Sequence, residues 1–263
     1  MATSWQADSI LRMPSTANQG HYKRNYLQQT VCELRFPTLM GLGDARPPEK
    51  FANALRKAYP IYGLVNEVTV NIGMPQHAAS LAHQFKTANG HWAVSLKSNA
   101  LTLETGQYTK FEDLLARLMT VLDAAMLVID SDFFTRVGLR YINVVKTSGG
   151  LDMTSWVNPQ LVQPLGAQLF TGIAEYNGRL QLATPDGGLL LQHGLAQKQE
   201  AGPAGAAQAS PLPNYVIDID VFRNEVAASD VALALQRGHD QAFTLFDWSL
   251  GPLAKAHLAD QSV

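Results

Sequence analysis

The sequence predicts an α+β protein built as two similar half-modules of mainly antiparallel sheet, with amphipathic helices packed on one face. Three observations carry this expectation. Strict apolar–polar alternation recurs in short stretches, Val31–Phe36 and Glu67–Ile72 among them. Two longer segments, one in each half, repeat apolar residues at helical spacing instead. Turn residues separate neighbouring strand-like runs closely enough for hairpins, which favours antiparallel pairing.

Residues 1–25 mix Ser, Thr, Asn, Gln and Pro without periodicity and read as a loosely ordered arm. The first half, 26–150, opens with a strand in which Cys32, Leu34 and Phe36 share one face and Glu33 and Arg35 the other, and Pro37 stops it. Pro47 and Pro48 open a short helix carrying Phe51, Ala54, Leu55 and Ala58, closed by Pro60. Val68, Val70 and Ile72 alternate in a second strand. From His91 to Gly106 the pattern is a hairpin: Trp92, Val94 and Leu96, a turn at Ser98-Asn99, then Leu101 and Leu103. The best helix follows. Thr109 and Glu112 have the spacing of a capping box, and Phe111, Leu114, Leu115, Leu118, Val121 and Leu122 form one apolar stripe. Arg136–Lys146 is then an apolar strand with polar residues only at Arg140 and Asn143, a pattern that predicts cover on both faces.

In the second half, 151–263, Asn177-Gly178 marks a hairpin between Gln168–Tyr176 and Arg179–Thr184. Pro185-Asp186-Gly187-Gly188 turns the chain again into Leu189-Leu190-Leu191. The Ala-, Gly- and Pro-rich stretch 200–213 reads as a solvent loop, and Tyr215–Phe222 as a strand. Ser229 is placed to cap a last helix carrying Val231, Leu235, His239, Phe243, Phe246 and Leu250, broken or bent at Gly238. The two halves are expected to share one core within a compact unit.

Composition narrows the function classes. With 46% hydrophobic and 16% charged residues over 263 positions, the chain can bury a substantial core. A net charge of −2 argues against broad coating of DNA or RNA, which needs a field of Lys and Arg to displace counterions. A local nucleic-acid site is not excluded. The single cysteine, Cys32, rules out an intramolecular disulfide and a Cys-based zinc site. No apolar run approaches the roughly 20 residues of a membrane span. The N-terminal residues lack the apolar centre of a secretory signal, so the expected location is cytoplasmic.

Seven polar residues are singled out for chemistry. Asp218 and Asp220 stand at i and i+2 on one strand, about 6.5–7 Å apart. Such a pair can hold Mg²⁺ or Mn²⁺ or act as acid and base; equally, it can face water or a neighbouring arginine while Ile217, Ile219 and Val221 face the core. Arg35 and Arg140 lie in strands with mostly apolar neighbours. A buried guanidinium must be paired or bind an anion, so Glu33, Asp218 and Asp220 are the partners to expect, with Asn143 beside them. His239 precedes Asp240, an adjacent pair used by metal-dependent phosphohydrolases, but it also falls on the apolar stripe of its helix, where a hydrogen-bonded internal histidine is the simpler reading. His77, His83 and His91 match no zinc spacing. Glycine-rich phosphate loops, nucleophile elbows and zincin motifs are all missing from the sequence.

Glu33-Leu34-Arg35-Phe36, Arg136 through Asn143, Ile217 through Phe222, and His239 followed by Phe246 occur in an order and spacing that resembles a family of sporadically distributed bacterial and archaeal proteins about 260 residues long, without an established function. The likeness covers Tyr26 to Leu258. It implies a prokaryotic accessory protein of patchy occurrence, as genes carried on mobile or defence-type loci have, and it brings no catalytic residues with it. The expectation is therefore a non-enzymatic binding or accessory protein acting through protein partners, with a homo-oligomer also open, and with no membrane, metal or cofactor. The alternative is a metal-dependent nucleotide or phosphodiester hydrolase using Asp218 and Asp220, assisted by His239 or Arg140.

Overall fold

The computed structural model describes residues 10–11, 22–69, 78–146, 153–166, 170, 173, 175–196 and 214–259. Among these, the elements follow in the order β1 (Leu27–Arg35), α1 (Glu49–Leu55), β2 (Ile61–Thr69), β3 (Ala78–Lys86), β4 (Trp92–Leu96), β5 (Ala100–Thr105), α2 (Phe111–Ala125), β6 (Phe133–Val145), α3 (Pro159–Gly166), β7 (Asn177–Thr184), β8 (Gly187–Ala196), β9 (Asn214–Ala227), α4 (Val231–Ser249) and α5 (Pro252–Ala259). The fold is α+β, with a nine-stranded antiparallel sheet in the order β2-β3-β4-β5-β1-β6-β9-β8-β7.

The chain groups into two compact units, and neither is a sequential half. One comprises 29–139 and 222–238; the other comprises 1–28, 140–221 and 239–263. Two of the boundaries between these units fall inside β6 and β9. Those strands are 13 and 14 residues long, far above the usual five or six, and each carries two apolar segments.

In the first unit, alternation does what it promised. Cys32 and Leu34 of β1 are fully buried and stand opposite Leu103 and Leu101 of β5, which are buried as well. β4 is buried at every residue, and β5 and β4 pair through Val94↔Leu103 and Leu96↔Leu101. The α2 stripe of Phe111, Leu114, Leu118, Val121 and Leu122 is buried, whereas Leu115 is only half-buried. Removing a side chain such as Leu118 would remove about 2–5 kcal/mol. The capping box does not form. Helix α2 starts one residue later than the box requires, with Lys110 as its N-cap and no side-chain cap; the Thr109 hydroxyl donates to Asp113 Oδ2 at 2.9 Å instead. Helix α1 ends at Leu55, leaving Ala54 and Ala58 exposed, while Phe51 meets Phe85 of β3 edge-on with centroids 5.5 Å apart. Strand β2 starts at Ile61, ahead of the alternation at Val68; its expected continuation through Ile72, like His77, lies outside the described residues.

The second unit, and the elements β6, β9 and α4 that run between the units, depart further from expectation. Asn177-Gly178 is not a turn. The two residues begin β7, and the hairpin to β8 is made by Pro185-Asp186, with Thr184 opposite Gly187. Proline sets the φ that the first turn position needs, and Thr184 Oγ1 donates to Asp186 Oδ1 at 2.8 Å, so the Pro-Asp-Gly signal outcompetes Asn-Gly here. Helix α4 runs unbroken through Gly238, which is buried; packing outweighs the roughly 1 kcal/mol that glycine costs a helix. Ser229 sits in a 3-10 turn (Ala228–Asp230) rather than at an α-helical N-cap. Strand β6 is buried at consecutive residues only over Val137–Leu139; from Tyr141 it alternates, so the expected cover on both faces is confined to that short stretch. The last part of the N-terminal arm is tied down: the amides of Lys23 and Arg24 donate to Leu258 O at 3.0 and 3.2 Å, and the Tyr22 hydroxyl donates to Asp247. The stretch 200–213 lies outside the described residues.

Candidate functional site

The seven polar residues fall into two sets, one in each unit. In the first unit, Glu33 of β1 is the hub. Its Oε1 accepts from Arg35 Nε at 2.7 Å and from Arg136 Nη1 at 2.9 Å. Arg35 is more than half exposed, so its share of the pairing is weak; Arg136 is 19% exposed and also lies over the Phe222 ring at 4.9 Å. Arg136 escaped the sequence reading because it opens an apolar run and looks like an ordinary flanking charge.

In the second unit, Arg140 grips Asp218 with a two-pronged bond. Its Nε donates to Oδ1 at 2.8 Å and its Nη2 to Oδ2 at 2.6 Å. The Asp218 side chain is 10% exposed and that of Arg140 43%, so the carboxylate is enclosed while the guanidinium reaches water. The hydrogen bond to Asp218, and further the negative charges of Asp218 and Asp220, raise the Arg140 pKa against the opposing effect of burial. Asn143, 3% exposed, donates to the carbonyl of Ile217 at 3.3 Å. His239 is half-buried, and its Nδ1 lies 2.9 Å from the Tyr141 hydroxyl. Both oxygens of Asp218 are thus engaged by protein, which is the geometry of a structural ion pair.

Two histidines that the sequence did not single out for chemistry occupy matching places. His83 of β3 is fully buried, and its Nδ1 lies 3.2 Å from the hydroxyl of Tyr62 on β2. His193 of β8 stands opposite Gly178 of β7, and its Nδ1 lies 2.6 Å from the hydroxyl of Tyr215 on β9, a side chain with no exposed surface. A Cβ at position 178 would fall 2.2 Å from His193 Nε2, so the ring occupies the space that glycine leaves. Tyr215 also donates to Leu161 O at 3.2 Å, as Tyr176 does at 2.7 Å. Burial lowers the pKa of both histidines; at His83 the nearby Asp44 opposes it.

Among the described residues, two surface features stand open. The first unit holds a cleft of about 540 Å³ whose lining includes Asn89, His91, Trp92, Gln107, Tyr108 and Arg117, with the Arg117 guanidinium 4.8 Å from the Trp92 ring centre. The same unit carries β2 as the end strand of the sheet order, with Ile61, Tyr62 and Leu64 exposed at 50%, 43% and 44%. Among the described residues no helix is long and apolar enough to cross a membrane. No family model, curated protein or solved structure matches the chain.

Proposed function

We propose that this chain is a non-enzymatic binding protein that works by receiving an extended segment of another polypeptide on strand β2, as an accessory protein of the mobile or defence-type locus that the sequence resemblance implies. One observation carries the reading. An end strand offers a row of unpaired backbone donors and acceptors, and proteins that avoid further pairing blunt it with charge, proline or a bulge. Residues 61–66 of β2, Ile-Tyr-Gly-Leu-Val-Asn, contain no charge and no proline, and three of their large apolar side chains are exposed. Strand addition draws affinity from the main chain and specificity from alternate side chains. The hydrolase alternative is less favoured, because Arg140 already occupies both oxygens of Asp218.

The experiment is capture, by the tagged full chain, of an untagged copy of the chain and of the products of neighbouring genes. The double variant Ile61→Lys/Leu64→Glu should lose the captured protein, while Leu180→Glu on β7 should retain it. Capture indifferent to the β2 charges, or turnover of a nucleotide or nucleic acid by the purified chain, would overturn the proposal.

A further inference from the structure

The β2 edge has a property that a general docking strand does not need: it is complementary to itself. Resting on the edge-pairing reading above, we infer that the polypeptide received on β2 is a second copy of this chain, paired antiparallel about a two-fold axis at Gly63. In a symmetric antiparallel pair the residues standing opposite one another have numbers that sum to a constant, because a two-fold contact is made by the same patch twice. Directly opposite residues also point to the same face of the sheet, and facing alternates along a strand, so that sum must be even. Few registers remain. A sum of 124 sets Tyr62 against Tyr62 of the other copy and leaves Ile61 facing Gly63. A sum of 128 sets Tyr62 against Asn66. A sum of 126 sets Ile61 against Val65, Tyr62 against Leu64 and Gly63 against itself, so that every large apolar side chain of the segment meets another.

The side chains on β2 show why this contact would be stable. Tyr62 and Leu64 stand opposite Phe85 and His83 of β3, which are 3% and 0% exposed. They therefore lie on the core face, yet are 43% and 44% exposed, because the strand order ends at β2. A second copy continues the strand order and lays Leu64 of one chain beside Tyr62 of the other, an aromatic–aliphatic cross-strand pair of the kind that stabilises sheets. Charge does not oppose the meeting: residues 60–66 carry none, so no like charges face one another across the axis. At the axis itself, nothing among the described residues lies within 4 Å of a Cβ built on Gly63, so position 63 can carry a side chain without displacing a neighbour.

The register is tested by cysteine placement in the full chain. Opposite residues in an antiparallel pair have Cα atoms about 4.5 or 5.5 Å apart, within the span of a disulfide. Gly63→Cys should therefore oxidise to a covalent dimer of twice the chain mass. Ile61→Cys, which faces Val65 of the other copy, should do so only together with Val65→Cys. The native thiol, Cys32, is fully buried and does not compete. In parallel, sedimentation should give a dimer for the wild type and a monomer for Leu64→Glu with an unchanged circular-dichroism spectrum. A monomeric wild type, a dimer indifferent to Leu64→Glu, or Ile61→Cys cross-linking as readily as Gly63→Cys would each overturn the inference. If the wild type is monomeric and charges on β2 still abolish capture of a different protein, self-pairing fails while the binding reading stands; if neither assay responds to β2, both fail.

Discussion

The two end strands of the sheet, β2 and β7, meet the same problem with different means. Strand β7 reads Asn-Gly-Arg-Leu-Gln-Leu-Ala-Thr; it carries a charge at Arg179, which donates to Gln181 at 3.0 Å, and Leu180 is its one large apolar side chain more than half exposed. Over residues 61–66, β2 carries no charge and exposes Ile61, Tyr62 and Leu64. Each edge has a histidine on the next strand inward, but the edges use it oppositely. At β7 the edge yields: Gly178 gives up its side chain, and the His193 ring fills the gap and reaches Tyr215. At β2 the edge holds: Tyr62 keeps a large ring on the rim and fixes it with a bond to His83. One edge thus carries a charge and a glycine whose space a neighbouring histidine fills, and the other carries three exposed apolar side chains.

Substitutions can break this contrast, and glycine-to-alanine exchange is the sharpest. Gly178→Ala would place a methyl group against the His193 ring and displace it from Tyr215; unfolding in denaturant should show a loss of about 2–3 kcal/mol. Acid comes next. Both histidines have folded-state pKa values below the ordinary 6.5, so the fold favours their neutral forms. Their contribution to stability is present above pH 6.5 and is lost as pH falls through that value toward the folded-state pKa. The melting temperature should drop between pH 7 and pH 5, and His83→Gln and His193→Gln should each flatten part of the drop. Smaller again, Tyr62→Phe removes the partner of His83 Nδ1 and should lower stability by at most about 1 kcal/mol, with the circular-dichroism spectrum unchanged. Least of all, Gly63→Ala meets open space and should leave the monomer within about 0.5 kcal/mol of the wild type, or slightly above it. A large loss at Gly63, or none at Gly178, would show that the two edges are not built as described.

What the sequence disclosed follows the reach of local pattern. Cys32 and Leu34, the α2 stripe and the hairpin from Trp92 to Thr105 were legible because alternation and helical spacing act within a few residues. Strand β3 was not: Ala-Ala-Ser-Leu-Ala-His-Gln-Phe-Lys has too few large apolar residues to alternate visibly, and it pairs because β2 and β4 flank it. Helix α5 escaped for a similar reason, since its burial rests on Ala254 and Leu258 alone. Asn177-Gly178 misled because the glycine answers to the His193 side chain across the β7–β8 pair rather than to a turn. Among the polar residues, those on recognised strands could be named, but their pairing could not. That Arg140 grips Asp218 while Glu33 takes Arg136 depends on which strands are neighbours. The same is true of the β2 edge, because no periodicity says which strand comes last.

One consequence of the fold concerns the order in which it can be made. The unit containing β2 needs 29–139 and then 222–238, and the other needs three separate stretches, 1–28, 140–221 and 239–263. On a ribosome, the first is not complete until residue 238 has emerged, and the second not until the stretch after 238 has followed it. Neither matches the common pattern of an N-terminal domain folding while the rest is still being synthesised. For most of its synthesis the nascent chain must keep the apolar residues of the first unit without the 222–238 stretch that completes it, so its demand on chaperones should exceed that of a tandem protein of equal length. Cutting the gene between the expected halves would separate each unit from part of itself.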